Sequence, residues 1–365
     1  MLGYFIRLLI STIFVQTHER FCQLSEFFKV RGARAGKNPE QLEELTPLKP
    51  GKILVFACYP LQSIDRTTIS VLENFAKHGV QIVVVSNRQI AEESKAALRR
   101  ISSAIIQRQS VGRDFGSYQR AMFYVQETLG FDSVSRLVFM NDSLYFFSNA
   151  DTSPLVKYLL DDKLDYCAAN ENNEVHYHVG SYLFAVGEKV LRSDAFQRYW
   201  KNYLPYSTRR YTIATGEVGL TKTVTSSGFV PHVLYQLHEL TPKVEAALAE
   251  KSIELHKLLS IPLKREIAPD DFVFSCKEID MIKEEWQNKS QSHHLALLYV
   301  VFLNAPYIKK DLVYRGIFTI TDILDLVKSR KLDDPETVMR IFRMRKTPAT
   351  LDGQVERALY RFGMV

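Results

Sequence analysis

A carboxylate stands between an amide and a hydroxyl at Asn141-Asp142-Ser143, directly after the apolar run RLVFM. Hard oxygen ligands of this kind suit Mg²⁺ or Mn²⁺, and a cation held by Asp142 would neutralise the charge that develops on a diphosphate leaving group. Enzymes that cleave sugar nucleotides often use such a group. The alternative is structural, because Asp and Ser also cap the turn that follows a strand.

Two glycines flank a charged pair in the segment GRDFG, residues 112–116. The glycines permit close backbone approach to a ligand, Arg113 can pair with phosphate, and Asp114 can hydrogen-bond a nucleoside or cap the next helix. Taken alone, the segment is explained at least as well by a plain capped loop. The chain has no GxGxxG and no GxxxxGK[ST] pattern, so neither dinucleotide binding nor ATP hydrolysis of the P-loop type is indicated.

Histidine and glutamate side chains farther along the chain could take part in acid–base chemistry. His176 and His178 would point the same way on a strand, where either could contact a phosphate or a hydroxyl. No third ligand is identifiable by spacing, which argues against zinc. Glu217 opens an apolar helix, where it could remove a proton from an attacking hydroxyl or only stabilise the first turn.

The elements that must position these side chains alternate between apolar strands and helices. Strands are predicted at 52–58, 80–86, 103–107 and 136–140. Helices are predicted after Asp65, at 92–100 and at 115–129. Such alternation is typical of a largely parallel sheet flanked by helices. Because ligands bind beyond the carboxyl ends of strands in such sheets, residues 141–143 lie where chemistry is expected.

The second half of the chain changes from a mixed to a helical pattern. Further strands are predicted at 165–169 and 181–187, and further helices at 194–203 and 217–225. Beyond about residue 245 the core-facing stretches are helical, at 255–259, 295–303 and 321–327. The sequence therefore predicts an N-terminal helix and linker over 1–50, an α/β domain over 51–245 and a helical region with a basic tail over 246–365.

Five motifs follow one another in an order that resembles the rhamnan-synthesis protein F family of polysaccharide-assembly glycosyltransferases. They are VGRDFGSY (111–118), NDSLYF (141–146), HVGSYLF (178–184), AFQRYW (195–200) and GEVGLT (216–221). The resemblance covers residues 52–229, and NAPYIKKDL (304–312) is similar to a C-terminal element of the family. One position departs from the pattern, since the family often has Asn where this chain has Val111.

The resemblance implies a GT-A-like, that is Rossmann-like, α/β fold and transfer of a sugar from a dTDP- or UDP-sugar to a growing, lipid-linked glycan. NDS then looks like a DxD metal site that lacks one carboxylate, with Asp142 as the ligand of Mg²⁺ or Mn²⁺. The implied donor-binding residues are Gly112, Arg113, Asp114, Asn141, Ser143, Lys309 and Lys310. Arg113 and the two lysines could also supply the positive charge in place of a metal.

The resemblance also bears on the chemical step. We expect an acceptor hydroxyl to attack the anomeric carbon directly, with inversion, and Glu217 and His178 to be the catalytic residues, Glu217 as the base. Rhamnose is suggested by the family name alone, because no residue distinguishes it from galactose or galactofuranose.

Composition and charge limit the partners. Of 365 residues, 46% are hydrophobic and 24% charged, which indicates a globular chain with a substantial core. Part of the net charge of +6 is concentrated near the C-terminus, at Arg340, Arg343, Arg345, Lys346, Arg357 and Arg361. This tail would suit anionic lipid or form a solvated basic helix. Nucleic acid is not expected, because zinc-ligand spacing, an RNP-like aromatic stripe and an evident helix-turn-helix pattern are missing from the sequence.

The N-terminal run 2–15 is mostly apolar, carries one charge, Arg7, and is shorter than the roughly 20 residues that a membrane span requires. It has no positive side chain before it and no small-x-small cleavage site after it, so a signal peptide is not expected. Its helical spacing suits an interfacial anchor or a core helix. The cysteines form no CxxC pair and fit a reducing compartment. We therefore expect a cytoplasmic protein, peripheral at the inner face of the cytoplasmic membrane.

Two other classes of protein remain open at this point. A non-catalytic, membrane-docked scaffold of polysaccharide assembly would explain the apolar N-terminus and the basic C-terminus. A metal-dependent hydrolase or phosphotransferase would use Asp142 with His176 and His178. The scaffold would bind no sugar nucleotide, whereas the hydrolase would break the donor down without a sugar acceptor.

Overall fold

The computed structural model describes residues 2–35, 37–60, 63–249, 257–266, 283–284 and 286–343. Several positions singled out in the sequence lie outside these described residues, namely Leu255, Cys276 and the basic residues from Arg345 to Arg361.

A mixed sheet occupies the centre of the protein. Its strands are β1 (Glu40–Glu44), β2 (Gly51–Cys58), β3 (Gln81–Ser86), β4 (Ala104–Arg108), β5 (Val134–Asn141), β7 (Tyr166–Asn172), β8 (His178–Val179), β9 (Leu183–Gly187) and β10 (His232–Tyr235). Within the described residues, eight of them lie in the order β1-β4-β3-β2-β5-β9-β7-β10, and β8 pairs with β7. The four strands β2 to β5 are mutually parallel, and β9 runs antiparallel between β5 and β7. A separate antiparallel pair is formed by β6 (Leu144–Phe146) and β11 (Tyr307–Lys309).

Helices connect and cover the strands. In the first half of the chain they are α1 (Leu2–Arg34), α2 (Arg66–Lys77), α3 (Glu92–Arg99), α4 (Arg113–Thr128), α5 (Ser153–Leu159), α6 (Glu188–Arg192), α7 (Asp194–Asn202), α8 (Arg209–Tyr211) and α9 (Val218–Ser226). The later ones are α10 (Leu237–Ala249), α11 (Ile261–Glu266), α12 (Gln291–His294), α13 (Ala296–Leu303), α14 (Ile320–Arg330) and α15 (Pro335–Arg343). A 3₁₀ turn spans Phe131–Ser133, and a π-helical turn, Thr212–Glu217, precedes α9.

Both faces of the sheet are buried, which explains the continuous apolar runs of the parallel strands. Along β2, Leu54 and Phe56 enter a core that α2, α13 and α14 share, whereas Ile53 and Val55 enter a second core with α4, α7 and α9. The predicted α/β class, a sheet flanked by helices with a helical C-terminal region, is confirmed. The parallel part of the sheet is β2 to β5, and the antiparallel pairings of β1, β8 and β9 make the whole sheet mixed.

Residues 31–50, which belong to the predicted N-terminal helix and linker, are more ordered than a linker. Residues 31–34 continue α1, and residues 40–44 form the edge strand β1. Ion pairs with residues distant in the sequence hold this strand: Glu40 with Arg120, and Glu43 with Lys95 and Arg99. Its own side chains are largely exposed, so its composition resembles that of a loop.

The helices of the described residues are too short or too polar to span a bilayer.

Candidate active site

The parallel strands end at one edge of the sheet, and the NDS segment lies there. Asp142 follows β5 and accepts a hydrogen bond at Oδ2 from the backbone N–H of Tyr59, which follows the neighbouring strand β2 (2.8 Å). The backbone N–H of Asp142 donates to the carbonyl of Ala57 (3.2 Å). The carboxylate is therefore fixed between the ends of two strands, as the strand-end rule predicts.

The NDS and GRD segments are in direct contact. Asn141 donates from Nδ2 to Oδ2 of Asp114 (2.7 Å), and the backbone N–H of Ser143 donates to Oδ1 of Asn141 (3.0 Å). Burial, together with the charge of Asp142, raises the pKa of Asp114 to about 6, against the opposing charge of Arg113. Two carboxyl groups are thus close enough to influence each other, which sequence spacing could not reveal.

Backbone strain is concentrated at the start of α4. Gly112 has a φ of 76°, and Arg113, although not a glycine, has a φ of 50°. Positive φ is rare in residues with a side chain and often marks a functional loop. Ser207 holds both residues: its Oγ accepts from the N–H of Gly112 (3.0 Å), and its carbonyl accepts from Nε of Arg113 (2.8 Å).

The buried side chain of Arg108 stabilises the loop at the start of α4. Arg108 donates from Nη1 to Oδ1 of Asn87 (3.1 Å) and from Nη2 to the carbonyl of Val111 (3.0 Å). Burial lowers the pKa of Arg108 to about 10, so the guanidinium stays charged near neutral pH. Val111, the position that departs from the family pattern, is itself buried and contributes its backbone carbonyl here.

Glu217 and His178 meet although they are far apart in the sequence. His178 Nε2 lies 3.5 Å from Oε2 of Glu217, and its Nδ1 lies 2.7 Å from the carbonyl of His176, which assigns the Nδ1 proton. Ser181 donates from Oγ to the other oxygen of Glu217. The carboxylate is placed by the π-helical turn, a feature frequent at functional sites.

The two partners shift each other's pKa. Burial lowers the pKa of His178, but its hydrogen bond to Glu217 and the charge of that residue outweigh burial and raise the pKa overall. Burial raises the pKa of Glu217, but the opposing contributions of His178, Ser181 and Lys309 are larger together and lower it overall. Glu217 is therefore an ionised carboxylate at neutral pH, as a base must be.

The two late lysines have different surroundings. Lys309 lies with Nζ 4.5 Å from the ring centre of Tyr182, whose carbonyl accepts from the N–H of Asn141. Lys310 is joined to the NDS segment through its backbone, because its N–H donates to the carbonyl of Ser143 (2.9 Å). Its ammonium forms an ion pair with Asp65.

Several cations surround the site. Burial lowers the pKa of Lys309, and the positive charges of Arg315 and Arg209 add to this effect, against Asp311 and Glu217. Burial and then the charge of Arg315 likewise lower the pKa of Arg209. These mutual effects show that Arg209, Arg315 and Lys309 lie near one another, and Arg315 also pairs with Asp311. A diphosphate would be stabilised by such a group of cations.

Side chains that could bind a metal ion are fewer in this region than cationic ones. Over the described ranges, the side chains form no group of three or more His, Cys, Asp and Glu that could hold a metal ion. Asp142 is the carboxylate at the strand ends, while His178 is turned towards Glu217 and His176 is exposed. One carboxylate with diphosphate oxygens and water is a ligand set that Mg²⁺ accepts, whereas a site built from Asp142 and both histidines is not formed.

The contacts of Asn141, Tyr182 and Ser181 connect the segments that carry the predicted site residues, but the ammonium of Lys310 pairs with Asp65 instead. Sequence reasoning missed Tyr59, Asn87, Ser207, Arg209 and Arg315. The first two follow strands β2 and β3 at the same edge as Asp142, so the strand-end rule could have identified them. The other three are brought in by tertiary contacts that leave no local pattern.

Gly112→Ala should lower stability, because it displaces the loop that carries Arg113. A Cβ at Gly112 would lie 2.2 Å from Cβ of Pro205 and 2.6 Å from its carbonyl oxygen, so the loop must move. Gly130→Ala is the matched control, because Gly130 also has a positive φ but has open space around it. The backbone cost of about 1–2 kcal/mol applies to both, and overpacking adds about 1–3 kcal/mol at Gly112 alone. Equal unfolding free energies for the two variants would contradict this.

Comparison with known proteins gives related sequences that cover part of the chain. The model of the family described as rhamnan synthesis protein F matches residues 82–259. An uncharacterized protein of Sinorhizobium fredii, y4gN, is 30% identical over 170 residues, which are 45% of this chain and 43% of that protein. The chain spans less than half the length of the curated relatives that it matches.

Solved structures with a related sheet include glycosyltransferases. GlyE of Streptococcus pneumoniae is 14% identical, with 71% of this chain and 64% of that chain covered and a TM-score of 0.32. A mannosyltransferase of Pyrobaculum calidifontis, solved with GDP-Man and Mn²⁺, is 10% identical, with 92% and 95% covered and a TM-score of 0.32. At TM-scores this low, neither structure bears on the chemistry of this chain. The family model confirms, over residues 82–259, the resemblance to the rhamnan synthesis protein F family that the five motifs indicated.

Proposed function

We propose that this protein is a glycosyltransferase that moves a sugar from a nucleotide-sugar donor to a growing bacterial surface polysaccharide. One observation carries the proposal: the partly buried carboxylate of Glu217 lies in the same region as the cations Lys309, Arg209 and Arg315. The carboxylate Asp142 belongs to this region as well, since Asp142 and Glu217 both act on the pKa of Asp114. A base for the acceptor and charge for a diphosphate are the two requirements of direct glycosyl transfer. The matched family segment supports the same function.

The donor is proposed to bind across the strand ends. Tyr59 is partly exposed after β2, with the guanidinium of Arg88 4.1 Å from its ring centre, and offers an aromatic surface for a nucleobase. Asp114 would accept hydrogen bonds from the nucleoside. Arg113, Arg209 and Lys309 would neutralise the diphosphate, and Asp142 would hold a divalent cation, Mg²⁺ or Mn²⁺, that supplies further positive charge to the leaving group.

The acceptor is proposed to reach the anomeric carbon from the side of Glu217. Its hydroxyl proton passes to a carboxylate oxygen of Glu217 as the new glycosidic bond forms, and the nucleoside diphosphate leaves with the electrons of the broken bond. His178 positions Glu217 and, when protonated, keeps it ionised between turnovers. A single displacement of this kind inverts the anomeric configuration. Rhamnose as the sugar rests on the name of the matched family.

A binding and turnover screen tests this function. Thermal shift is measured for dTDP-, UDP- and GDP-sugars with and without Mg²⁺ or Mn²⁺, and donors that bind are then incubated with a glycan acceptor. The proposal expects at least one donor to raise the melting temperature and to be consumed only when acceptor is present. No shift with any donor would favour a scaffold, and consumption without acceptor would favour a hydrolase or phosphotransferase.

A further inference from the structure

One face of α1 carries large apolar side chains that contact little of the protein. Phe21, Leu24 and Phe28 are 70%, 73% and 84% exposed, and their spacing of three and four residues aligns them on one stripe. Val30, on the opposite side of the same helix, is fully buried. Single exposed apolar residues are normal on protein surfaces, but a continuous stripe of three large ones marks a surface that binds something.

The charges of α1 are divided between its two sides. Arg20, Lys29 and Arg31 are exposed around the apolar stripe. The acidic residues Glu19 and Glu26 face the protein, where they accept hydrogen bonds. The outward surface of the helix is therefore apolar with a positive border. A bilayer that contains anionic lipid is the complementary surface, since it offers an apolar interior beneath negatively charged headgroups.

A second copy of the chain would complement this surface less well. Two α1 helices that packed stripe against stripe would bring their borders together, and each border carries the exposed cations Arg20 and Arg31. Like charges in contact oppose association, whereas anionic headgroups attract both. The charge pattern thus favours lipid over self-association.

The inward side of α1 leads directly to the donor-binding loop. Glu26 accepts at Oε2 from the N–H of Ser207 (2.8 Å), and Glu19 accepts at Oε1 from the hydroxyl of Thr208 (3.0 Å). Ser207 in turn holds Gly112 and Arg113. Two successive hydrogen bonds therefore connect the helix that carries the stripe to the strained loop at the start of α4.

We propose that the stripe Phe21-Leu24-Phe28 docks the protein on an anionic membrane surface, and that α1 thereby sets the position of the donor-binding loop at that surface. The docking does not depend on the proposed function, whereas the second part rests on it. The sequence alone placed the expected membrane contact in residues 2–15, and the structure assigns a contact farther along the helix. A transferase with a lipid-linked acceptor would benefit from this arrangement, because the donor and the acceptor would then lie at the same height above the membrane surface.

Vesicle co-sedimentation of the full chain tests the docking. Wild type should bind vesicles of phosphatidylcholine with phosphatidylglycerol more tightly than vesicles of phosphatidylcholine alone. The triple variant Phe21→Ser, Leu24→Ser, Phe28→Ser should bind the mixed vesicles about tenfold or more weakly. Val175→Ser with Val230→Ser is the matched control, because both valines are exposed elsewhere and should leave binding unchanged.

Charge and oligomeric state complete this test. Arg20→Gln with Arg31→Gln should remove most of the preference for anionic vesicles, at about fivefold per charge. Vesicle binding by the triple serine variant at the wild-type level would overturn the docking. If wild type is a dimer in the absence of lipid and the triple variant is a monomer, the stripe binds a second copy of the chain, and the docking is overturned as well.

The link to the donor-binding loop is tested at Glu26, a positioning residue. Glu26→Leu removes the acceptor for Ser207 and should raise the KM for the donor about tenfold, while kcat and vesicle binding change little. Glu26→Gln keeps an acceptor oxygen and should restore the KM. An unchanged KM in Glu26→Leu would overturn the link and leave the docking intact. Failure of the proposed function is distinguishable, because wild type would then bind vesicles and transfer no sugar.

Discussion

Glu217→Gln should abolish most sugar transfer while it leaves the donor bound. A positioned general base contributes about 10²–10⁴-fold to the rate, and the amide that replaces the carboxylate cannot accept the acceptor's proton. The side chain keeps its size, and the amide can still hydrogen-bond Ser181 and His178. The expected result is a fall in kcat of about 10²–10⁴-fold with little change in the thermal shift produced by the donor.

The matched control for this variant is Glu188→Gln. Glu188 also begins a helix, but its carboxylate is half exposed and pairs with Arg192 one turn away on the surface. Exposed pairs of this kind contribute little, so kcat should not change. The anomeric configuration of the product provides an independent check. Retention would contradict the single displacement, and an undiminished kcat in Glu217→Gln would exclude Glu217 as the base.

Much of the sheet could be predicted because its pattern is local. Buried parallel strands are continuous apolar runs, and β2, β3, β4 and β5 lie within two residues of the predicted bounds. The strand-end rule then placed residues 141–143 at the edge where chemistry is expected, and Asn141 there bonds Asp114 of the GRD segment. Features that a short stretch of sequence encodes through periodicity or strand order could therefore be predicted.

Contacts between residues that are distant in the sequence could not be predicted. Edge strand β1 is exposed and polar, and ion pairs such as that of Glu40 with Arg120 hold it in place. Lys309 and Lys310 look equivalent in the sequence, yet the first lies over Tyr182 and the second pairs with Asp65. Successive residues leave a strand in opposite directions, so adjacent lysines at the end of β11 must differ, but the sequence does not say which one faces the site.

Asp142→Asn should separate the charge of this side chain from its structural contact. The amide oxygen can still accept from the N–H of Tyr59, so the end of β2 should stay in place and the melting temperature should change little. Asp142→Ala leaves that N–H without its acceptor and should cost about 1–3 kcal/mol of stability in addition. Both variants should lose about 100-fold or more in donor affinity when Mn²⁺ is present, because a carboxylate ligand of the metal is gone.

Chelation decides whether that loss reflects a metal. If Asp142 holds a cation, EDTA should weaken donor binding by wild type about as much as Asp142→Asn does, and should have no further effect on the variant, since both remove the same interaction. Arg209→Gln is the comparison. It should lose less donor affinity than Asp142→Asn, and EDTA should weaken its donor binding further. Wild-type binding that EDTA leaves unchanged would contradict the metal site, and the diphosphate would be neutralised by Arg113, Arg209, Arg315 and Lys309. After burial, Arg315 and Arg209 contribute to the lowered pKa of Lys309, so a bound diphosphate would offset the repulsion among these three cations in either case.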